Sequence, residues 1–168
     1  RRQAESRRRA LSYASTSGYT GDAPTSAPLL TRIDNRIDFP WDTGSPLPGA
    51  INADWFYAKW TGFFTPTTTG QYYFGGYHDD RMRVWANGQL LYDNGGCYTG
   101  QCYGTPISLT ANQPVSLRVE YLEATGNGFA KLFYKGATTE AIVDASTLQT
   151  GIRPVGTPHG LKGSYFTD

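Results

Sequence analysis

The sequence predicts an all-β protein with the antiparallel β-sandwich architecture of the jelly-roll type. Short segments in which apolar and polar residues alternate recur along the chain, and turn-forming residues separate them. The 168 residues include 20 glycines and ten prolines, which is typical of strands joined by tight turns. No segment of helical length has the apolar period of an amphipathic helix, and the chain is long enough for two packed layers.

The strands follow from alternation and from the turns that flank them. Predicted strands cover residues 29–33, 37–41, 56–64, 71–77, 81–85, 89–92, 106–109, 115–121 and 129–134. Pro40 ends the strand at 37–41. The Asn87-Gly88 pair predicts a tight hairpin that joins the strand at 81–85 to the strand at 89–92. Residues 81–85 alternate cleanly, which places Met82 and Val84 on one face. One short helical turn is expected within residues 141–148.

The chain divides into four predicted parts. Residues 1–28 form a basic, extended arm, residues 29–150 form the sandwich, residues 151–159 form a linker, and residues 160–168 supply one more strand. The arm carries an arginine cluster, which is interpreted as a mobile terminus or the remnant of a processing site rather than a nucleic-acid-binding arm. The net charge of +1 provides no overall field that would attract nucleic acid. No apolar run is as long as a membrane span.

Two cysteines, Cys97 and Cys102, lie in a glycine-rich segment that allows the chain to fold back on itself. A disulfide between them would indicate an oxidising compartment, and two free thiols are the alternative. A zinc site is disfavoured, because only His78 and His159 are present to complete the ligand set. His78 is expected to lie in a loop or at the surface.

The most informative local feature is a pair of adjacent carboxylates, Asp79 and Asp80, between two predicted strands. Neighbouring carboxylates repel each other unless a cation, a proton or an arginine compensates them. A hard divalent cation is the simplest compensator, since it prefers carboxylate and carbonyl oxygens. In the alternative interpretation the two residues cap a turn and pair with Arg81 or Arg83.

A set of short motifs gives the chain a resemblance to a known family. The motifs are Thr31-Arg32-Ile33-Asp34, Ile37-Asp38-Phe39, Trp60-Thr61-Gly62, Thr69-Gly70-x-Tyr72-x-Phe74, Asp79-Asp80, Arg83-Val84-Trp85, Asn87-Gly88, Asp93-Asn94, Glu120-Tyr121 and Gly128-Phe129-Ala130-Lys131-Leu132. Together they resemble the PA14 domain, the β-sandwich named after the protective antigen of anthrax toxin, over most of residues 29–150. Members of this family occur in adhesins, glycosidases, toxins and cell-surface proteins, and many bind carbohydrate through calcium held by an Asp-Asp pair with a cis peptide bond.

The resemblance implies a calcium site and a glycan-binding site in a secreted or cell-surface protein. The implied metal ligands are the side chains of Asp79, Asp80 and Glu123 and the main-chain carbonyl groups of Thr125 and Asn127. The implied carbohydrate-binding residues are the aromatic side chains of Trp55, Tyr77, Tyr98 and Tyr103. The segment closed by the two cysteines would set specificity. Sugar-binding fungal members often carry Asn in place of Glu123.

Enzyme activity is not expected from this sequence. It contains no phosphate-binding loop, no catalytic triad motif and no zinc motif, and no carboxylate pairs with an evident nucleophile.

The segment from Gly160 to Phe166 resembles the opening strand of this family, although it lies at the other end of the chain. Residues 9–15, which occupy the usual place, match poorly. Three explanations compete: a piece of a tandem array, a circular permutation, or a strand inserted into a neighbouring subunit. Alternation points Leu161 and Tyr165 into a core and leaves Phe166 in need of cover. Insertion into a neighbouring copy is favoured, and the alternative function is therefore a structural subunit of an extracellular filament.

Overall fold

The computed structural model describes residues 24, 27–144, 146–149 and 160–167, and these residues form two antiparallel β-sheets with no helix. The thirteen strands are β1 (Leu30–Asp34), β2 (Asp38–Asp42), β3 (Phe56–Phe64), β4 (Gly70–Asp79), β5 (Arg81–Ala86), β6 (Gln89–Asn94), β7 (Cys97–Tyr103), β8 (Ile107–Leu109), β9 (Val115–Glu123), β10 (Gly128–Lys135), β11 (Glu140–Ile142), β12 (Leu148–Gln149) and β13 (Leu161–Thr167). The predicted all-β sandwich is confirmed. No helix in the described part of the chain is long and apolar enough to cross a membrane.

The first sheet has the strand order β1-β13-β3-β9-β5-β6, with β12 paired to β3. The second sheet has the order β11-β10-β4-β7, with β2 on β10 and β8 on β4. Alternate residues of both sheets point between them and form one core, whose largest fully buried side chains include Trp60, Tyr121 and Tyr165.

The alternation of β5 produces the predicted division of its faces. Met82 and Val84 are fully buried, whereas the side chains between them are partly exposed. The hairpin that follows turns at Asn87 and Gly88, which have φ values of 51° and 78°. Two successive residues with positive φ are what a tight hairpin of this hand requires.

The structure refines two predictions. The cysteine segment folds back as predicted, since the Cα atoms of Cys97 and Cys102 are 6.1 Å apart, but it does so within the edge strand β7, in which Cys97, Cys102 and Tyr103 pair with β4 and the register shifts between them. Residues 140–142 and 148–149 form the short strands β11 and β12, and where one helical turn was expected the described residues form a single turn, without a helix, that is closed by a hydrogen bond of 3.0 Å from the Thr147 amide to the Asp144 carbonyl oxygen. The predicted linker and nearly all of the predicted arm lie outside the described residues.

Residues 161–167 form a paired strand, as predicted for this segment, but the strand pairs within its own chain. β13 lies between β1 and β3 and forms antiparallel ladders with both. Leu161 and Tyr165 are fully buried in the core of this same sandwich, and Phe166 packs on Tyr57 with ring centroids 5.8 Å apart. The favoured insertion into a neighbouring subunit is therefore corrected, because this chain offers β13 hydrogen-bonding partners on both sides and a matching core.

A buried polar cluster fixes β13 at its place in the sheet. The Asp34 carboxylate accepts hydrogen bonds from Trp60 Nε1 at 2.9 Å, from Arg32 Nε at 2.7 Å and from the Tyr165 hydroxyl. A Cβ atom at Gly163 would lie 2.5 Å from Asp34 Oδ2, so this position requires glycine. A buried carboxylate needs such partners, since an unsatisfied one is costly.

The substitution Tyr165→Phe tests this cluster. It removes one donor to a buried carboxylate without a large change of volume, so the free energy of unfolding should fall by about 1–2 kcal/mol. Ser164→Ala, on the opposite face of the same strand, should change it by less than about 0.5 kcal/mol. Urea unfolding of both variants measures the difference, and equal stabilities would show that the cluster does not hold β13.

Candidate functional site

The acidic pair lies where the chain crosses from one sheet to the other. Asp79 is the last residue of β4, Arg81 is the first residue of β5, and Asp80 is the single residue between them. The peptide bond between the two aspartates is cis. Both side chains are partly exposed at the end of the sandwich where β9 finishes and β10 starts.

Main-chain amides of the β9–β10 loop hold the Asp80 carboxylate. The Ala124 amide donates a hydrogen bond to Asp80 Oδ2 at 2.7 Å, and the Thr125 amide also contacts this carboxylate. Burial raises the pKa of Asp80, and the neighbouring Asp79 raises it further, while the two amides favour the charged form. The loop is in turn tied to Asp54, which accepts a hydrogen bond of 3.1 Å from the Gly126 amide.

Glu123 lies beneath the acidic pair and is almost fully buried, with 1% of its surface exposed. Its Oε2 accepts a hydrogen bond from the Tyr121 hydroxyl at 2.7 Å, and the same hydroxyl contacts the Asp79 carbonyl oxygen. Its Oε1 is buried without a hydrogen-bond partner. Burial, and secondarily the negative charges of Asp80 and Asp79, raise the pKa of Glu123 to about 7, although the Tyr121 hydroxyl acts in the opposite direction.

A glycine makes room for this buried carboxyl group. A Cβ atom at Gly128 would lie 2.9 Å from Glu123 Oε2 and 3.2 Å from the Tyr121 hydroxyl. The start of β10 can therefore pass close to Glu123 only because residue 128 has no side chain.

His78 is buried, so its expected position in a loop or at the surface is wrong. It is an inward residue of β4, with Nδ1 2.6 Å from the Asp80 carbonyl oxygen and Nε2 2.8 Å from the Tyr92 hydroxyl. Burial lowers its pKa to about 4, so the ring is neutral near pH 7. A neutral ring with Nδ1 as donor and Nε2 as acceptor satisfies both contacts and supports the backbone of the acidic pair.

The neighbouring arginines form strong ion pairs with other carboxylates. Arg81 makes a bidentate pair with Asp93, at 2.8 and 2.7 Å, and Arg83 pairs with Glu120 at 2.8 Å. These salt bridges join β5 to β6 and to β9.

Two exposed aromatic side chains flank the site. Trp55 is 42% exposed, lines a surface depression together with Asp80, and its amide donates to the Ala124 carbonyl at 2.9 Å. Tyr98 is 56% exposed, and its hydroxyl lies beside the Asp79 carboxylate; partial burial, and then the charge of Asp79, raise the pKa of this hydroxyl.

The other two predicted aromatic residues have different surroundings. Tyr77 stacks on Phe129 with centroids 4.5 Å apart, and Phe129 lies opposite Asp79 in the sheet, so this pair adjoins the site. Tyr103 lies opposite Gly75, four residues along β4 from Asp79, or about 13 Å at the rise of a strand. Its hydroxyl donates to Glu140 at 2.8 Å, and the structure does not bring it to the acidic pair.

The predicted disulfide between Cys97 and Cys102 is confirmed, and it closes the turn of β7. Cys97 lies opposite His78 in the sheet, one residue from Asp79. The bridged segment that carries Tyr98 is therefore anchored next to the acidic pair.

Thr125 and Asn127 are exposed residues of the β9–β10 loop. Within the described ranges, no three His, Cys, Asp or Glu side chains are arranged so that they could hold a metal ion by themselves. A cation at this site would thus depend on main-chain carbonyl oxygens as well as carboxylates. Sequence reasoning missed Tyr121 and Asp54, although the alternation of β9 places Tyr121 on the inward face beside Glu123.

Comparisons with known proteins identify a family and a relative of this chain. A model of the family described as the PA14 domain matches residues 11–145. The anti-sigma-I factor RsgI3 of Acetivibrio thermocellus is 30% identical over 142 residues, which are 83% of this chain and 22% of that protein. This chain therefore spans about a fifth of that curated relative.

Two solved structures are also similar to this chain. An anti-sigma factor domain-containing protein from Clostridium clariflavum is 34% identical with a TM-score of 0.64, over 74% of this chain and 42% of that one. A structure described as the PA14 sugar-binding domain from an RTX adhesin has a TM-score of 0.54 at 20% identity, over 68% of this chain and 75% of that one. At this identity the adhesin domain supports the fold alone.

The raised pKa of Glu123 predicts how stability depends on pH in the presence of a chelator. Between its ordinary value of 4.5 and about 7 the folded state binds more protons than the unfolded state, so stability should fall as the pH rises through this range. In Glu123→Gln the decrease in the free energy of unfolding over this pH range should be smaller by up to roughly 2–3 kcal/mol. This variant should therefore be more stable than the parent at pH 8. Asp80, whose pKa is also raised, would supply a remaining slope of the same sign.

Urea unfolding at pH 5 and pH 8 measures the effect. Glu140→Gln, an exposed carboxylate on β11, is the control and should keep the parent's slope. A parent protein as stable at pH 8 as at pH 5 would contradict the prediction.

Proposed function

This chain belongs to the PA14 domain family, whose model matches residues 11–145, and on that premise we propose that it is a calcium-dependent carbohydrate-binding or adhesion module of a secreted or cell-surface protein. The proposed role is binding rather than catalysis. The observation that carries the proposal is the buried Glu123 carboxylate within the field of the adjacent Asp79–Asp80 pair, with Glu123 Oε1 buried and unpartnered.

The chemistry of these residues fits calcium. Calcium prefers six to eight oxygen ligands, and carboxylates and main-chain carbonyl groups are the usual protein donors. Asp79, Asp80 and Glu123 supply carboxylate oxygens, and the carbonyl groups of Thr125 and Asn127 in the adjoining loop would supply others. The Asp80 carboxylate is already oriented by the amides of that loop.

The same end of the sandwich has the side chains that a sugar needs. When bound, calcium would offer its remaining coordination positions to neighbouring hydroxyl groups of a sugar. Trp55 and Tyr98 present aromatic surface on which the apolar face of a sugar ring can pack. Tyr98 belongs to the disulfide-closed segment, so this segment would contribute to the choice of sugar.

The proposal of a glycan partner also draws on the solved domain described as sugar-binding. A second candidate function is ligand recognition within a larger regulatory protein, which is favoured by the 30% and 34% identities to anti-sigma factors. The coding sequence on both sides of this chain would separate the two. Because β13 occupies its own sandwich, it is not free to build a filament by strand exchange.

Calcium binding is tested by melting curves with excess calcium and with chelator. Calcium should stabilise the parent by about 2.7 kcal/mol at a concentration one hundred times its Kd, because a ligand stabilises only the state it binds. Asp80→Asn should lose most of this response. Asp38→Asn, the same chemical change on β2, should retain it, and identical parent curves with calcium and chelator would overturn the assignment.

Glycan binding is tested on a glycan array in calcium, followed by titration of the best ligand. Tyr98→Ala should weaken binding by about tenfold, the order expected for loss of an aromatic contact. Tyr103→Ala should leave the affinity unchanged, because this side chain points to Glu140. A larger loss for Tyr103→Ala than for Tyr98→Ala would place the sugar on the outer face of the second sheet instead.

A further inference from the structure

The outer face of the first sheet carries a concentration of positive charge that the acidic site does not use. The register places Lys162, Thr61, Arg118 and Trp85 side by side across β13, β3, β9 and β5. The next row contains Lys59, Glu120, Arg83 and, at the sheet edge, Asp93. These residues alternate with the buried residues of their strands, so four cationic side chains point outward, with Glu120 among them and Asp93 at their edge.

The ion pairs on this face leave an excess of cations. Glu120 is 2.8 Å from Arg83 and 3.6 Å from Arg118 Nε, so the carboxylate is shared between two guanidinium groups. Asp93, at the sheet edge, is engaged by Arg81. The excess is marked because the whole sequence has a net charge of only +1.

A groove of about 410 Å³ runs along this face beside Arg118. Its walls include Phe63, Trp85 and Arg118, and its polar groups include the side chains of Thr61 and Ser116. It combines apolar wall, hydroxyl groups and a cation in one open channel on a sheet. Such a channel suits an extended chain better than a small, enclosed ligand.

Arg118 is already oriented for recognition. Its guanidinium carbon lies 3.8 Å from the centroid of the Trp85 ring, and its Nε faces Glu120. The side chain is 42% exposed, and its Nε is buried without a hydrogen-bond partner, 3.6 Å from Glu120. A guanidinium held in this way presents a fork of donors that matches a carboxylate.

We propose that this face is a second binding surface, which takes an acidic polysaccharide with carboxylates on its sugar rings. Arg118 would bind a ring carboxylate, the groove wall would pack on the sugar, and Lys162, two strands away at about 10 Å, would meet a further charge along the chain. A neutral glycan would leave these cations unmatched. A single-stranded nucleic acid would need open aromatic faces for its bases, and Arg118 already covers the Trp85 ring.

The surface uses neither the acidic pair nor calcium, so it is tested in chelator. The probe is alginate, a polyuronate, and the matched control ligand is its propylene glycol ester, in which most carboxylates are blocked. Calorimetric titration at low salt should detect alginate binding by the parent, with much weaker binding of the ester. The affinity should fall steeply as salt is raised.

Three variants locate the binding. Arg118→Gln, which keeps a planar group and removes the charge, should weaken alginate binding by about tenfold or more. Lys162→Gln should weaken it by about two- to threefold. Lys135→Gln removes the same charge from an exposed position on β10 of the other sheet and should bind like the parent. Melting curves confirm that each variant is folded.

Four results would overturn the proposal: no alginate binding by the parent, equal binding of alginate and ester, equal affinities of Arg118→Gln and Lys135→Gln, or tighter binding of an oligothymidylate or of phosphatidylserine vesicles than of alginate. The calcium test compares the melting curves of the parent and of Asp80→Asn with calcium and with chelator. Its outcome does not depend on any of these four results. Failure here would therefore leave the calcium proposal standing, and the reverse is equally true.

Discussion

The hydrogen bonds that the β9–β10 loop donates to the Asp80 carboxylate are the interaction on which the rest of the site depends. The acidic pair lies on the crossing from the second sheet to the first, and the loop closes the same end of the sandwich. One carboxylate thus fixes the loop, and the loop fixes Trp55 through the Ala124 carbonyl and Asp54 through the Gly126 amide. His78 and Tyr121 support the arrangement from the core through the carbonyl groups of Asp80 and Asp79. The exposed part of the site is therefore positioned by buried polar contacts rather than by its own side chains.

Charge is separated across the molecule although its sum is small. Four carboxylates, from Asp54, Asp79, Asp80 and Glu123, gather at one end, and the outer face of the first sheet carries an excess of lysine and arginine. Net charge describes neither region, because the field at a surface is set by the charges within about a Debye length. This face can therefore attract a polyanion although the net charge of the whole protein is small.

The sequence predicted those features that are encoded locally. Alternation located most strands, Asn87-Gly88 located a hairpin, and adjacency alone identified Asp79 and Asp80. The role of Tyr121 was missed because it comes from a strand about forty residues away, through a contact that alternation permits but does not specify. The pairing of β7 with β4 was missed because only its ends, at Cys97 and at Cys102 and Tyr103, are paired, and so short a pairing leaves no alternation to read. The partner of β13 was predicted wrongly for a related reason: alternation shows that a strand has a buried face, but it does not identify the chain that buries it.

The central position of β13 has a consequence for how the protein folds. The Asp34–Tyr165 contact joins residues 131 positions apart, and β13 is the last described strand although it separates β1 from β3. The hairpins β5–β6 and β10–β11 can form as soon as they are synthesised, but the first sheet keeps an open gap until residues 161–167 arrive. A fold whose closing step is so non-local should reach its native state slowly. During that interval the facing edges of β1 and β3 expose unpaired backbone groups, and the nascent chain is most vulnerable to association with other strands.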